Sequence, residues 1–79
     1  MTRTDFKRVL EYIRSKADHF ITMKHIGKDT EPIEIEADTQ RLVNNGLRYC
    51  KVRATPKQKL EFDLEIRAHL IFWKKEYDI

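Results

Sequence analysis

The sequence predicts a small α+β domain in which the elements follow the order α-β-β-α-β-β along residues 1–79. Two patterns predict this class: a helical stripe of apolar residues near the N-terminus, and alternating apolar and polar residues in the second half. We expect a four-stranded, mostly antiparallel sheet with the N-terminal amphipathic helix packed on one face. A chain of 79 residues is long enough for one compact core, so we expect a single domain.

The first element is an amphipathic helix. Charged residues surround apolar positions that follow the helical repeat: Phe6, Val9, Leu10, Ile13 and Ala17. Thr2, with Asp5 three positions later, has the pattern of a capping box, and Thr4 is the alternative cap. The helix therefore begins almost at the first residue.

Two strands are predicted next, over residues 19–26 and 32–37, with a turn between them. The first is rich in large apolar residues, and the second alternates isoleucine and alanine with glutamate. Pro32 at the start of the second strand suits an edge position, because proline has no N–H to donate to a neighbouring strand. The alternation also indicates that this second strand buries one face only.

Residues 38–46 have two interpretations. Asp38 can cap a short helix over residues 39–45, which Gly46 would end in the left-handed conformation. The alternative is a hairpin that turns at Asn45-Gly46, a strong signal for a type I′ turn. The sequence leaves both interpretations open.

The last two strands are predicted to pair around a loop at residues 55–59. The opposing pairs are Arg53 with Glu61, Lys51 with Asp63, Val52 with Phe62, and Cys50 with Leu64. A shift of one residue would place charges against apolar side chains, so both faces specify this register. The alternation continues to Phe72 or Trp73, so residues 67–73 extend beyond the partner strand and must pair with the first strand, bend, or meet another subunit. Because an open apolar edge promotes association, we expect a homodimer.

Composition narrows the class of protein. The chain is 37% charged and 41% hydrophobic, which is typical of a folded domain with a polar surface. Residues 1–10 are too polar for a signal peptide, and the longest apolar run, residues 70–73, is too short for a membrane span. The single Cys50 excludes an internal disulfide and favours a reducing compartment, so a cytoplasmic location is expected.

Charge is sorted along the chain, whose net charge is only +3. Between Arg41 and Lys59 there are six basic residues and no acid, and two of them, Lys51 and Arg53, are assigned acidic neighbours in the hairpin. Such bases can have a purely structural role, in which they form solvent-exposed ion pairs with acids on the neighbouring strand. The remaining bases, together with basic residues of the first helix, form the predicted nucleic-acid-binding face: Lys7, Arg8, Arg14, Arg41, Arg48, Lys57 and Lys59.

Other candidate sites are weaker. Phe72, Trp73 and Tyr77 stand among lysines, a composition that suits base stacking, a subunit interface or simply the core. The three histidines lie in different segments and form no ligand pair, so we expect neither a metal nor a cofactor. One of them could act as the general acid or base of a ribonuclease. Cys50 is expected in the core, where a thiol is inert.

The leading functional hypothesis is a small non-enzymatic protein that binds RNA or another polyanion. In size and composition the chain resembles small phage-encoded accessory proteins and antitoxin-like modulators, and this resemblance carries no residue assignments. One alternative is a protein–protein modulator that inhibits a partner protein without contacting nucleic acid. A further alternative is a small endoribonuclease. No catalytic residues are predicted, because no catalytic motif is present.

Overall fold

In the computed structural model, which describes residues 1–79, three helices account for most of the chain. They are α1 (Arg3–His25), α2 (Ile35–Cys50) and α3 (Pro56–Tyr77), and no strand is present. The predicted α+β class is therefore wrong, and so is its four-stranded sheet. The chain is an all-helical bundle.

The helix predicted at the N-terminus is confirmed, and it is longer than expected. Thr2 caps it, because its hydroxyl accepts a hydrogen bond from the backbone N–H of Asp5 at 3.1 Å. The strand predicted over residues 19–26 is wrong, since Ile21 and Lys24 continue the buried positions of the same helical stripe. Gly27 ends the helix with a φ of 77°, a conformation that glycine adopts without steric cost.

The second predicted strand, over residues 32–37, is also wrong. Helix α2 begins within it, and Asp38, expected to be the cap, lies in the first turn, where its carboxylate accepts a hydrogen bond from the N–H of Glu34 at 2.9 Å. The short helix predicted over residues 39–45 is therefore confirmed as part of a longer one, and the hairpin alternative is wrong. Gly46 lies inside α2 and is buried, rather than ending the helix.

The predicted C-terminal hairpin is replaced by the end of α2 and by α3. Its alternating residues separate in the helix into two sets spaced four apart, because helical positions four apart share a face. One set is fully buried: Phe62, Ile66 and Leu70. The other set lies on the outer side: Leu60, Leu64, Ala68 and Phe72. None of the four predicted cross-strand pairs forms, and half-buried Cys50 packs beside the core at the end of α2.

The start of α3 carries a complete set of helix signals. Thr55 is the N-cap and Pro56 follows it directly. The N–H of Gln58 donates to the Thr55 hydroxyl at 3.1 Å, and the Gln58 side chain accepts from the N–H of Thr55 at 3.0 Å. This reciprocal pair is a capping box, which fixes the point at which the chain turns into the helix.

The helices run up, down and up, so α1 and α3 are parallel and α2 is antiparallel to both. Phe6 stacks on Phe62 with ring centroids 4.4 Å apart, and His25 stacks on Tyr77 at the other end of the same helix pair. Tyr12 stacks on Tyr49 between α1 and α2. The bundle measures 37 × 18 × 18 Å. None of its helices combines the length and apolarity that a membrane crossing requires.

Candidate nucleic-acid interface

One end of the bundle concentrates positive charge. The N-termini of α1 and α3 and the C-terminus of α2 meet there, because the helices alternate in direction. Residues 1–8 and 48–59 together contain eight basic residues and a single acid, Asp5. The eight are termed the basic end: Arg3, Lys7, Arg8, Arg48, Lys51, Arg53, Lys57 and Lys59.

Most of this charge is not neutralised within the chain. Arg3 pairs with Glu61 at 3.7 Å and Arg8 with Asp5 at 3.6 Å, and both pairs are exposed. Exposed pairs contribute at most about 1 kcal/mol, so a competing anion can displace them. The other six basic residues make no ion pair: Lys7, Arg48, Lys51, Arg53, Lys57 and Lys59.

The predicted binding residues divide into two groups. Five of the seven belong to the basic end: Lys7, Arg8, Arg48, Lys57 and Lys59. Arg14 lies farther along α1 and contacts Glu65 at 2.7 Å, while Arg41 lies in the first half of α2 and contacts Asp38 at 3.1 Å. The structure therefore does not bring Arg14 and Arg41 together with the others, and each is held by an acid.

Lys51 and Arg53 were expected to be neutralised by acids across a hairpin, and that expectation is wrong. Both lie in the connection between α2 and α3, exposed and free of ion pairs. Lys51 follows α2 in the left-handed conformation, with φ 55° and ψ 43°. Two bases that the hairpin would have neutralised therefore add to the positive surface.

The direction of the helices strengthens the positive potential. A helix N-terminus carries a partial positive charge and usually has acids in its first turn. The first turn of α3 has none, and it places Lys57 and Lys59 there instead. The dipoles of α1 and α3 thus have the same sign as the basic side chains at this end and outnumber the single opposed dipole at the C-terminus of α2, which favours binding of an anion.

An exposed aromatic pair lies beside the basic end. The rings of Tyr12 and Tyr49 are parallel with centroids 4.8 Å apart, and Tyr49 is 70% exposed. The Lys16 ammonium lies 5.5 Å from the Tyr12 ring centroid, and Arg48 precedes Tyr49 in the chain. The pair borders a groove of about 430 Å³ between α1 and α2. Sequence reasoning missed it, since nothing in the sequence joins these two tyrosines.

The aromatics predicted for stacking lie elsewhere. Phe72, Trp73 and Tyr77 occupy the C-terminal part of α3, at the far end of the bundle from the basic end. Trp73 is half-buried and packs against the core, and Tyr77 stacks on His25 with centroids 3.9 Å apart. Phe72 is 53% exposed. These residues therefore do not join the basic surface.

The opposite end of the molecule is acidic. Its acids include five residues in and around the start of α2: Asp29, Glu31, Glu34, Glu36 and Asp38. Lys24, which is almost fully buried, reaches Asp29 with Nζ at 2.9 Å from Oδ1. This hydrogen bond from Lys24, with a second from the N–H of Glu31, holds the pKa of Asp29 below its ordinary value. The molecule is thus positive at one end and negative at the other.

No histidine belongs to the basic end, although His19 lines the groove beside Tyr12 and Tyr49. His69 contacts Asp18, with Nε2 at 2.6 Å from Oδ1, and His25 stacks on Tyr77. Asp18 is ten residues beyond Arg8 in α1, which is roughly 15 Å along the helix. No group of three His, Cys, Asp or Glu side chains is arranged to hold a metal ion.

Comparison with protein-family models, with curated proteins and with solved structures returns no match for this chain.

Proposed function

We propose that this is a non-enzymatic RNA-binding protein whose basic end holds the phosphates of a single strand. The observation that carries the proposal is the group of six free basic side chains at one end of a molecule with a net charge of only +3. Lysine and arginine displace the counterions of a nucleic acid, and this release drives binding. Charge confined to one end also directs a polyanion to that end.

The tyrosine pair favours a single strand over a duplex. Proteins that hold single strands combine phosphate-binding bases with aromatic rings on which nucleobases stack. Tyr49 offers an open ring face beside Arg48, and its other face is supported by Tyr12. A ring held in this way loses little side-chain freedom when a base stacks on it, which lowers the entropic cost of binding.

Binding without catalysis is the favoured form of the proposal. Hydrolysis of RNA by a histidine requires the imidazole within hydrogen-bond reach of the bound phosphodiester. The phosphates are proposed to lie at the basic end, whereas His19 of the α1–α2 groove lies about 10 Å beyond Tyr12 along α1, and His69 contacts Asp18. A cytoplasmic location belongs to the same proposal, since the only cysteine, Cys50, is free.

The test is fluorescence anisotropy with a labelled single-stranded RNA of roughly 12 nucleotides, measured at several salt concentrations. We expect Lys57→Gln to weaken binding about fivefold at physiological salt and to reduce the salt slope by about one. The matched control is Lys28→Gln, which removes a lysine that is also exposed and unpaired, from the opposite end. Tyr49→Ala should weaken binding to the single strand more than to a duplex of equal length.

Three results would contradict the proposal. Undetectable RNA binding by the unmodified protein at low salt would exclude it outright. Equal losses for Lys57→Gln and Lys28→Gln would mean that net charge alone attracts RNA. Tighter binding of the duplex, unaffected by Tyr49→Ala, would reject the single-strand assignment. Circular dichroism of each variant separates lost binding from lost structure.

A further inference from the structure

Helix α3 carries an apolar face that no other part of the chain covers. Its four large residues are between 48% and 57% exposed, and Ala68 completes the surface. This face is termed the outer stripe: Leu60, Leu64, Ala68, Ile71 and Phe72. It lies on the opposite side of α3 from the buried residues Phe62, Ile66 and Leu70.

The outer stripe is a group of exposed apolar residues on one helix face. Single exposed apolar residues are common, and Ile26, which is 57% exposed, is one of them. The grouped members of the outer stripe expose roughly 400 Å², which is in the range of the largest apolar patch on a monomer, and such a patch is often functional. It also occurs in a chain of which 37% is charged. Something apolar should therefore cover it.

We propose that the outer stripe binds the outer stripe of a second copy of this chain, with the two α3 helices antiparallel. A two-fold axis at the level of Ile66 places Leu60 opposite the partner's Phe72 and Leu64 opposite the partner's Ala68. The spacing of four residues is symmetric about this position, so each contact occurs twice. Such a self-complementary arrangement closes at two copies.

The side-chain sizes fit this pairing. Leu64 projects toward the partner's Ala68, whose small side chain leaves room for it, and the symmetric contact repeats the fit. Alternation of large and small residues across a helix interface lets the two surfaces interlock. Leu60 and the partner's Phe72 then enclose the ends of the apolar surface. A pairing of large with large along the whole stripe would hold the helices farther apart.

Charge decides between the two orientations. A parallel pair would place two basic ends side by side, and their like charges would repel. The antiparallel pair places each basic end beside the acidic end of its partner, where Glu31, Glu34 and Glu36 lie. One local repulsion remains, because Lys57 stands at the same level as the partner's Lys75. Long lysine side chains can turn their ammonium groups into water, which limits this cost.

The area is sufficient for a moderate interface. Two outer stripes would bury roughly 800 Å² of apolar surface, and apolar atoms make up about 60% of a standard interface. The total then falls at the lower end of the standard range of about 1,200–2,000 Å². We therefore expect dimerisation at micromolar protein concentrations rather than a permanent assembly.

Sedimentation velocity over a concentration series tests the proposal. The unmodified chain of 9.6 kDa should change from monomer to dimer as concentration rises. Leu64→Lys should weaken dimerisation at least tenfold, by placing a charge in the interface. Ile26→Lys is the matched control, because it adds the same charge at a residue of similar exposure outside the outer stripe. Phe72→Gln is a second interface variant, in case Leu64→Lys disturbs the fold as judged by circular dichroism.

A charge reversal tests the orientation. Lys75→Glu should strengthen the antiparallel dimer about fivefold, because each substituted residue then faces the partner's Lys57. In a parallel dimer the substituted residues would face each other, and no strengthening would occur. A monomer at every concentration, a dimer insensitive to Leu64→Lys, or continued growth beyond two copies would each overturn the proposal. A monomer throughout would assign the outer stripe to a different partner.

Discussion

The contact between Gly46 of α2 and Ile13 of α1 permits a direct test of the bundle. Both residues are buried, and a β-carbon placed on Gly46 would overlap Cγ1 of Ile13 and lie 3.0 Å from its Cδ1. Isoleucine in a helix strongly prefers one χ1 rotamer, so the side chain cannot rotate away freely. Gly46→Ala must therefore separate the two helices or strain the isoleucine.

Two opposing terms set the size of the effect. Replacing an interior helical glycine by alanine stabilises a helix by about 1 kcal/mol. Overpacking a buried site costs about 1–3 kcal/mol, and an overlap with a branch carbon beside the backbone belongs in the upper part of that range. We therefore expect Gly46→Ala to lower the free energy of unfolding by about 1–2 kcal/mol, which corresponds to a fall in melting temperature of roughly 5–15 °C.

A double-mutant cycle isolates the contact. Ile13→Ala alone should cost about 2–5 kcal/mol, because it leaves a cavity at a fully buried position. In the double variant, the methyl group added at position 46 occupies part of the cavity left by Ile13→Ala. Helix α2 also keeps the gain in helix propensity that alanine provides over glycine. The double variant should therefore be more stable than the sum of the single losses by about 1–3 kcal/mol.

Urea unfolding followed by circular dichroism measures all of these free energies. Gly27→Ala is the matched control, since Gly27 has a positive φ but no atom near its missing β-carbon. Gly27→Ala should destabilise the fold only through backbone conformation. The free energy that it costs should therefore add to the cost of Ile13→Ala, with no coupling between the two changes. The reasoning would be refuted if Gly46→Ala stabilised the protein, or if its coupling to Ile13→Ala were no larger than that of the control.

Two further predictions concern helix ends and acid. Lys51→Gly should raise the free energy of unfolding by about 0.5–1 kcal/mol, because Lys51 holds a left-handed conformation that glycine adopts more easily, and a thermal melt measures this. Asp29 should stabilise the fold above its unfolded pKa of about 3.9 and lose that contribution as pH falls through its lower folded pKa. The stability difference between the unmodified protein and Asp29→Asn should therefore be constant near neutral pH and shrink in acid. A difference independent of pH would contradict the assignment.

Local signals were sufficient for part of the fold. The stripe from Phe6 to Ala17, the Thr2 cap and the helix over residues 39–45 could be predicted, because each depends on neighbours within a few positions. Helix α3 was misread for a physical reason. A pattern with apolar residues at every second position is compatible with a strand and also with a helix that has two apolar faces. Only the tertiary packing distinguishes these two structures. The sequence Thr55-Pro56-Lys57-Gln58 indicates a helix start, and this local signal is more specific than the alternation that follows it.

The same error determined how the candidate site was interpreted. The density of bases could be read from the sequence, but which of them remain free depends on what the fold places beside them. Lys51 and Arg53 are free because no strand with acids lies opposite, whereas Arg14 is held by Glu65 of another helix. Charge pairing between distant segments is a tertiary property, so a wrong sheet produces wrong partners even when the composition is read correctly.

The alternation that predicted a strand also contains the strongest sign of association. A strand would have buried the seven even-numbered residues from Leu60 to Phe72 on one face, but the helix buries three of them and exposes the other four to solvent. The expected homodimer thus has a different physical basis. The surface proposed to associate is the outer stripe of α3, instead of the open edge of a sheet. Because Leu64 lies about two helical turns from Lys57 in α3, Leu64→Lys should weaken dimerisation at least tenfold while each protomer keeps its affinity for a short RNA. Loss of both properties together would mean that the RNA site is built only in the dimer.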